Sequence, residues 1–110
     1  MKFKSKVIEI DAINWNGSNS QQVIDFSRGY DGFGAEIIRF NTGTDAEGTP
    51  WGEVYDFLHD TWVNVYPGQW IIKGTKGEFY PCDAEVFEAK YEPVEGLGLY
   101  NPEFTKGNTP

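Results

Sequence analysis

The sequence predicts a single small α+β domain, a mostly antiparallel β-sheet with one or two short helices. Three observations lead there. The 110 residues fit one domain with one core. Thirteen Gly and six Pro punctuate the chain with turns and leave few long apolar-periodic stretches, which favours strands. Aromatic residues make up 16% of the chain and include four Trp, enough to fill a core and leave rings over for a surface. The domain is expected to span residues 1–95, with 96–110 as an extended or mobile tail.

The elements follow in order. Ile8, Ile10 and Ala12 alternate with Glu9 and Asp11, so residues 6–12 read as a strand with one wet face. Ile13 and Trp15 fall on the other parity, which predicts a bulge or strand end near Ala12. Asn16-Gly17 makes a turn. Ser18 and Gln21 fit a capping box, Val23, Ile24 and Phe26 fit a helical apolar face, and Gly29 fits a C-terminal cap. Residues 36–41 read as a strand and 41–50 (NTGTDAEGTP) as a polar loop. The runs 51–58 and 61–66 form a hairpin that turns at His59-Asp60. Pro67-Gly68 is a turn. Strands at 70–73 and 78–81 flank a Gly74-Thr75-Lys76-Gly77 turn. Asp83 caps a helix through Lys90 with Val86 and Phe87 inward, and Tyr91 begins a last short strand.

Composition narrows the function classes. The single cysteine allows no intrachain disulfide, which suits a reducing compartment. No apolar run reaches signal-peptide or transmembrane length, so the expectation is a soluble cytoplasmic protein with no membrane partner. The net charge of −8 lacks the basic footprint of a duplex-DNA binder. The acidic residues are scattered, which fits solubility better than mimicry of nucleic acid.

Catalytic and metal chemistry find little support. His59 sits in a turn, where a lone histidine is ordinarily solvated. Cys82 follows a strand, where a free cysteine is ordinarily a small apolar residue. One His and one Cys do not make a thiolate–imidazole metal site. Asp45, Glu47 and Glu53 offer oxygens to a hard cation but lack EF-hand spacing. The chain is therefore expected to be non-catalytic, with no metal and no cofactor, although a dispersed phosphoesterase site remains as a third alternative.

The stretch QWIIKGTKGEFYPC, residues 69–82, carries the densest signal. It reads first as a hairpin with its lysines outside for solubility, and the same turn can also be an anion cradle. Turn glycines expose backbone N–H groups, and two lysines add charge for a phosphate. The spacing is not that of a P-loop. Alternation places Trp70 and Ile72 on one face and Ile71 and Lys73 on the other, with Lys73 nearly opposite Glu78. The candidate ligand-binding residues are Lys73, Thr75 and Lys76 for phosphate, and Trp15, Asn16, Trp70 and Tyr80 for bases.

Two blocks together resemble a widespread family of small phage and prophage proteins. The first carries Ile10, Ala12, Trp15 and Gly17. The second carries Gly68, Trp70, Ile71, Ile72, Lys73, Gly74, Lys76, Gly77, Glu78, Phe79, Tyr80, Pro81, Cys82, Phe87, Tyr91 and Glu92. The chain departs from the pattern at Gln69, where the family has Asp, and at Asp83-Ala84, where it has Lys-Pro. Its middle, residues 29–66, is longer. The resemblance implies a phage protein in the cytoplasm of an infected bacterium. It further implies a non-catalytic sponge that sequesters a cyclic di- or oligonucleotide signal of CBASS-type immunity. A two-fold ligand of that kind suits a homo-oligomer. The alternative is an acidic protein-binding inhibitor of a host factor, or a minor structural phage protein.

Overall fold

A computed structural model describes residues 1–3 and 8–94 of the chain. The expected tail and the beginning of the first expected strand lie outside these residues. The elements are β1 (Asp11–Asn14), α1 (Ser20–Ser27), β2 (Gly29–Tyr30), β3 (Glu36–Ile37), β4 (Phe40–Thr44), β5 (Pro50–Asp56), β6 (Thr61–Val65), β7 (Trp70–Lys73), β8 (Phe79–Cys82) and α2 (Ala84–Lys90). All strand pairing is antiparallel, as the α+β reading expects. The strands form three sheets, ordered β1-β7-β8, β2-β3 and β4-β5-β6, where one was expected.

Period-two alternation explains the meander β4-β5-β6. Along β5, Gly52, Val54 and Asp56 turn inward while Trp51, Glu53 and Tyr55 turn out. Phe40 of β4 faces Val54 across the ladder and is buried with it. The expected loop at 41–50 is therefore half strand. Its residues are polar because they line the wet face and the hairpin turn, not because they are irregular. The expected strand at 36–41 breaks in two for the same reason: Phe40 enters the core, whereas Ile37, on the small β2-β3 ribbon, and Ile38, just after it, stay exposed.

Two hairpin turns share one construction. At Asp45–Thr49, the Asp45 N–H donates to the Thr49 carbonyl and the Gly48 N–H to the Asp45 carbonyl. The Asp45 carboxylate then accepts the N–H groups of Glu47 and Thr49, each at 2.9 Å. Residues 31–35 repeat this bond for bond, with Asp31 accepting from Phe33 and Ala35. The fourth residue, Gly34 or Gly48, has φ of +87° or +82°, which a side chain strongly disfavours. This is a three-residue loop closed by a left-handed glycine bulge.

Trp15 corrects the first half of the sequence reading. It is fully buried, packs edge-on against Phe40 at 5.4 Å, and joins Val23, Val54, Val65, Ile71 and Phe79 in the core. Its indole N–H donates to Ser20 Oγ. Helix α1 begins after Asn19, not at Ser18. The Asn19 side chain accepts the Asn16 N–H and donates to the Asn14 carbonyl, so it ties the turn rather than capping the helix. Gly29 is no helix cap, because Arg28 leaves the helix extended and feeds β2 directly. In α2, Phe87 packs inward, but Val86 is exposed. Residues 91–94 form no strand.

Candidate functional site

The β7-β8 turn has the backbone of the two aspartate turns and a different side chain in the key position. The Gly74 N–H donates to the Glu78 carbonyl at 2.7 Å and the Gly77 N–H to the Gly74 carbonyl at 2.9 Å. Gly77 has φ of +84°. The first residue is Gly74, which has no carboxylate to offer. The N–H of the third residue, Lys76, is instead taken by Glu78 Oε1 at 3.0 Å, reaching back from the fifth position. The carboxylate covers Gly74 so closely that a Cβ there would meet it at 2.5 Å. The turn expected from the sequence is present, and the protein's own Glu78 carboxylate takes the Lys76 N–H within it.

Lys73, Thr75 and Lys76 all lie exposed at this end of β7. Neither lysine forms an ion pair among the described residues. The register differs by one from the expected pairing: Lys73 faces Phe79, and Ile72 faces Tyr80, because Glu78 belongs to the turn. Alternation holds as expected, with Trp70 and Ile72 on one face of the sheet.

The predicted rings divide. Trp15 is enclosed and has no face free to stack on a base. Asn16 is exposed, but its side-chain oxygen accepts the Ser18 N–H, within the same turn. Both lie beyond the β1 end that pairs with Trp70, since the Trp15 N–H donates to the Gln69 carbonyl. Trp70 is half-buried, with one face stacked on Phe87 at 4.1 Å and 6°. Its indole N–H is buried without an acceptor among the described residues. Three strand steps separate Trp70 from Lys73, about 10 Å along β7. Tyr80 is accessible, but it pairs with Ile72 across the ladder and so lies on the opposite face of the sheet from Lys73; the exposed ring that approaches the turn, at Gly77, is Phe57. Burial first, then the neighbouring Tyr91 and Glu78, raise the Tyr80 hydroxyl pKa above the usual tyrosine value. The structure thus brings Lys73, Thr75 and Lys76 together, leaves Tyr80 on the other face of the sheet from Lys73, and places Trp15, Asn16 and Trp70 at the opposite end.

The other candidates resolve structurally. The His59 ring donates from Nδ1 to Asp56 Oδ2 at 2.7 Å, while Asp56 also accepts the Leu58 N–H. This closes the β5-β6 turn and holds the Asp56 carboxyl below its ordinary pKa, chiefly through the His59 bond. Cys82 sits in another sheet, on β8. Among the described residues no group of three or more His, Cys, Asp or Glu is placed to hold a metal.

Sequence reasoning missed two contacts. One is Glu78 in the turn. Its signal was the spacing Asp-x-x-Gly-x, present at 31–35 and 45–49 and recurring at 74–78 with the acid moved from first place to last. The other joins the two departures from the phage pattern: Gln69 Nε2 donates to Asp83 Oδ1 at 2.8 Å, and Gln69 Oε1 accepts the Tyr66 N–H. An aspartate at 69 would set like charges together there. No protein-family model matches the chain, and no curated protein or solved structure matches it.

Proposed function

We propose that this is a non-catalytic phage protein that sequesters a cyclic nucleotide immune signal in the cytoplasm of an infected bacterium, gripping phosphate at the β7-β8 turn. The observation that carries the reading is the Glu78 carboxylate on the Lys76 N–H, between two lysines without ion pairs among the described residues. A backbone that holds a carboxylate in place has the donor geometry for a phosphate oxygen. The incoming phosphate displaces Glu78, and Lys73 and Lys76 supply the opposite charge. Thr75 adds a hydroxyl. Local lysines outweigh the overall charge because screening confines repulsion to about 8 Å at physiological salt. A two-fold ligand joins two copies about this turn. No helix among the described residues is long and apolar enough to cross a membrane.

The test is a thermal-shift screen against cyclic di- and trinucleotides, linear nucleotides and ADP-ribose-type signals. Ligand at 100 times its dissociation constant adds about 2.7 kcal/mol of stability. The expected result is a shift with one class, intact ligand recovered on denaturation, and loss of the shift in Lys73→Ala and Lys76→Ala. No shift with any nucleotide defeats the proposal. A second reading, recognition of a partner protein, is favoured by the exposed aromatic residues of β5 and β6.

A further inference from the structure

The outer face of the β4-β5-β6 sheet is ordered in three rows. Register places Asn41, Glu53 and Asn64 side by side across the middle. Trp51 lies in the row on one side, opposite Gly43, with Tyr66 just past the end of β6. Tyr55 and Trp62 pair in the row on the other side, their rings 5.3 Å apart. The Trp51 indole lies across Gly43 so closely that a Cβ there would meet it at 2.9 Å, so glycine is what lets the ring lie down. Trp51, Trp62 and Tyr66 are 44%, 40% and 61% exposed. Glu53, between the aromatic rows, accepts one long hydrogen bond, from Asn41 at 3.3 Å. No Lys, Arg or His among the described residues pairs with it.

We infer that this face binds an arginine side chain presented by an exposed basic segment of a partner protein. A half-buried carboxylate with no cation paired to it among the described residues, flanked by indole and phenol rings, matches guanidinium on both counts. The fork of N–H donors meets the carboxylate, and the flat cation lies against a ring. Tyr and Trp are also the residues that anchor protein interfaces. The net charge of −8 draws a basic partner and repels a second copy of this chain. The size of the face argues the same way. Strands about 4.8 Å apart and rows about 7 Å apart give a footprint on the order of 150–200 Å², far below the roughly 800 Å² per side of a standard interface. A segment fits it, and a globular dimer partner does not. The site is separate from the β7-β8 turn and does not depend on the nucleotide reading.

The experiment titrates the purified protein with a short acetylated and amidated alternating Gly-Arg peptide, following the four indole N–H resonances by NMR. The control peptide carries citrulline in place of arginine. The expected result is movement of the Trp51 and Trp62 resonances with Trp15 and Trp70 unmoved, and no response to the citrulline peptide. Glu53→Gln, which keeps the shape of the side chain, and Trp62→Ala each weaken binding about tenfold, while Glu85→Gln on α2 leaves it unchanged. Equal weakening by Glu85→Gln and Glu53→Gln reduces the effect to general charge attraction and overturns the inference. So do equal binding of both peptides, or indole resonances that stay still at saturating peptide. Sedimentation of the protein alone supplies the last arm: a dimer that Trp62→Ala dissociates makes the second copy the occupant and overturns it too.

Discussion

The turns at Asp45–Thr49 and Gly74–Glu78 close with the same two backbone hydrogen bonds and the same left-handed glycine, yet they hold their carboxylates differently. In the first, the acid is the opening residue. Its short side chain reaches two N–H groups without leaving the turn. In the second, the acid is the closing residue, takes one N–H, and must fold its longer side chain back over Gly74. Glutamate has more rotamers to lose on being held there, so its grip is weaker. The contrast teaches that an amide-lined turn can be sealed or merely occupied, and that the position of the acid decides which.

The comparison breaks first at the shared glycine. Gly77→Val and Gly48→Val each force a β-branched residue into positive φ, and each is expected to cost about 1–3 kcal/mol in urea denaturation. Gly77→Val is the worse of the two, because its Cβ also comes within 3.3 Å of Phe57. Equal mild effects, or none, would mean the two turns do not depend on this backbone. Next, Asp45→Ala uncovers two amides at once and is expected to lose about 1 kcal/mol by the same measurement.

The sharpening experiment moves the acid. Gly74→Asp gives the third turn the opening aspartate of the other two and pushes Glu78 aside. It is expected to stabilise the fold slightly, by about 0.5 kcal/mol, seen as a higher thermal midpoint, while abolishing any nucleotide-induced shift. Glu78→Ala does the reverse, tightening nucleotide binding several-fold with little change in stability. A tightening by Gly74→Asp, or a weakening by Glu78→Ala, would remove the turn from the proposal.

The smallest effect is on pH. Asp31 holds its carboxyl below the ordinary value through the Ala35 and Phe33 N–H groups. A lowered folded-state pKa gives stability that is present above the unfolded carboxylate value and is lost as pH falls through the folded one. Urea midpoints measured from about pH 5 down to pH 2 should therefore fall less steeply in Asp31→Asn than in the parent. Identical slopes would show that the Asp31 turn contributes nothing to acid sensitivity.

Much of this fold was legible. Pro67-Gly68 turns where it should, with Gly68 at φ +98°, and the strand at 70–73 stands as read, although Ile71 and Ile72, on its two faces, are both buried. Local signals of this kind depend on neighbours in sequence. The strand at 40–44 was hidden because Asn41, Thr42 and Thr44 look like loop residues, and only Phe40 reveals an inward face. The candidate site was half legible. Lys73, Thr75 and Lys76 lie together because one turn holds them. Trp15 seemed a free ring because no local pattern reveals that Ser20 satisfies its N–H and Phe40 covers it from another sheet. Gln69 and Asp83 meet across two strands, a contact invisible to periodicity.

The pairing of β1 with β7 sets a timetable for the chain. Asp11 finds its partner in Lys73, about 60 residues later, whereas β4 pairs with β5 and β5 with β6. The meander is the low-cost nucleus, and closing the long loop is the slow step. During synthesis at roughly 5–20 residues per second, β1 waits several seconds for β7 to be made. Until then Trp15, which later sits in the core, lacks its neighbours Ile71 on β7 and Phe79 on β8. Refolding is therefore expected to bury Trp15 last, after the Tyr55–Trp62 pair has already formed.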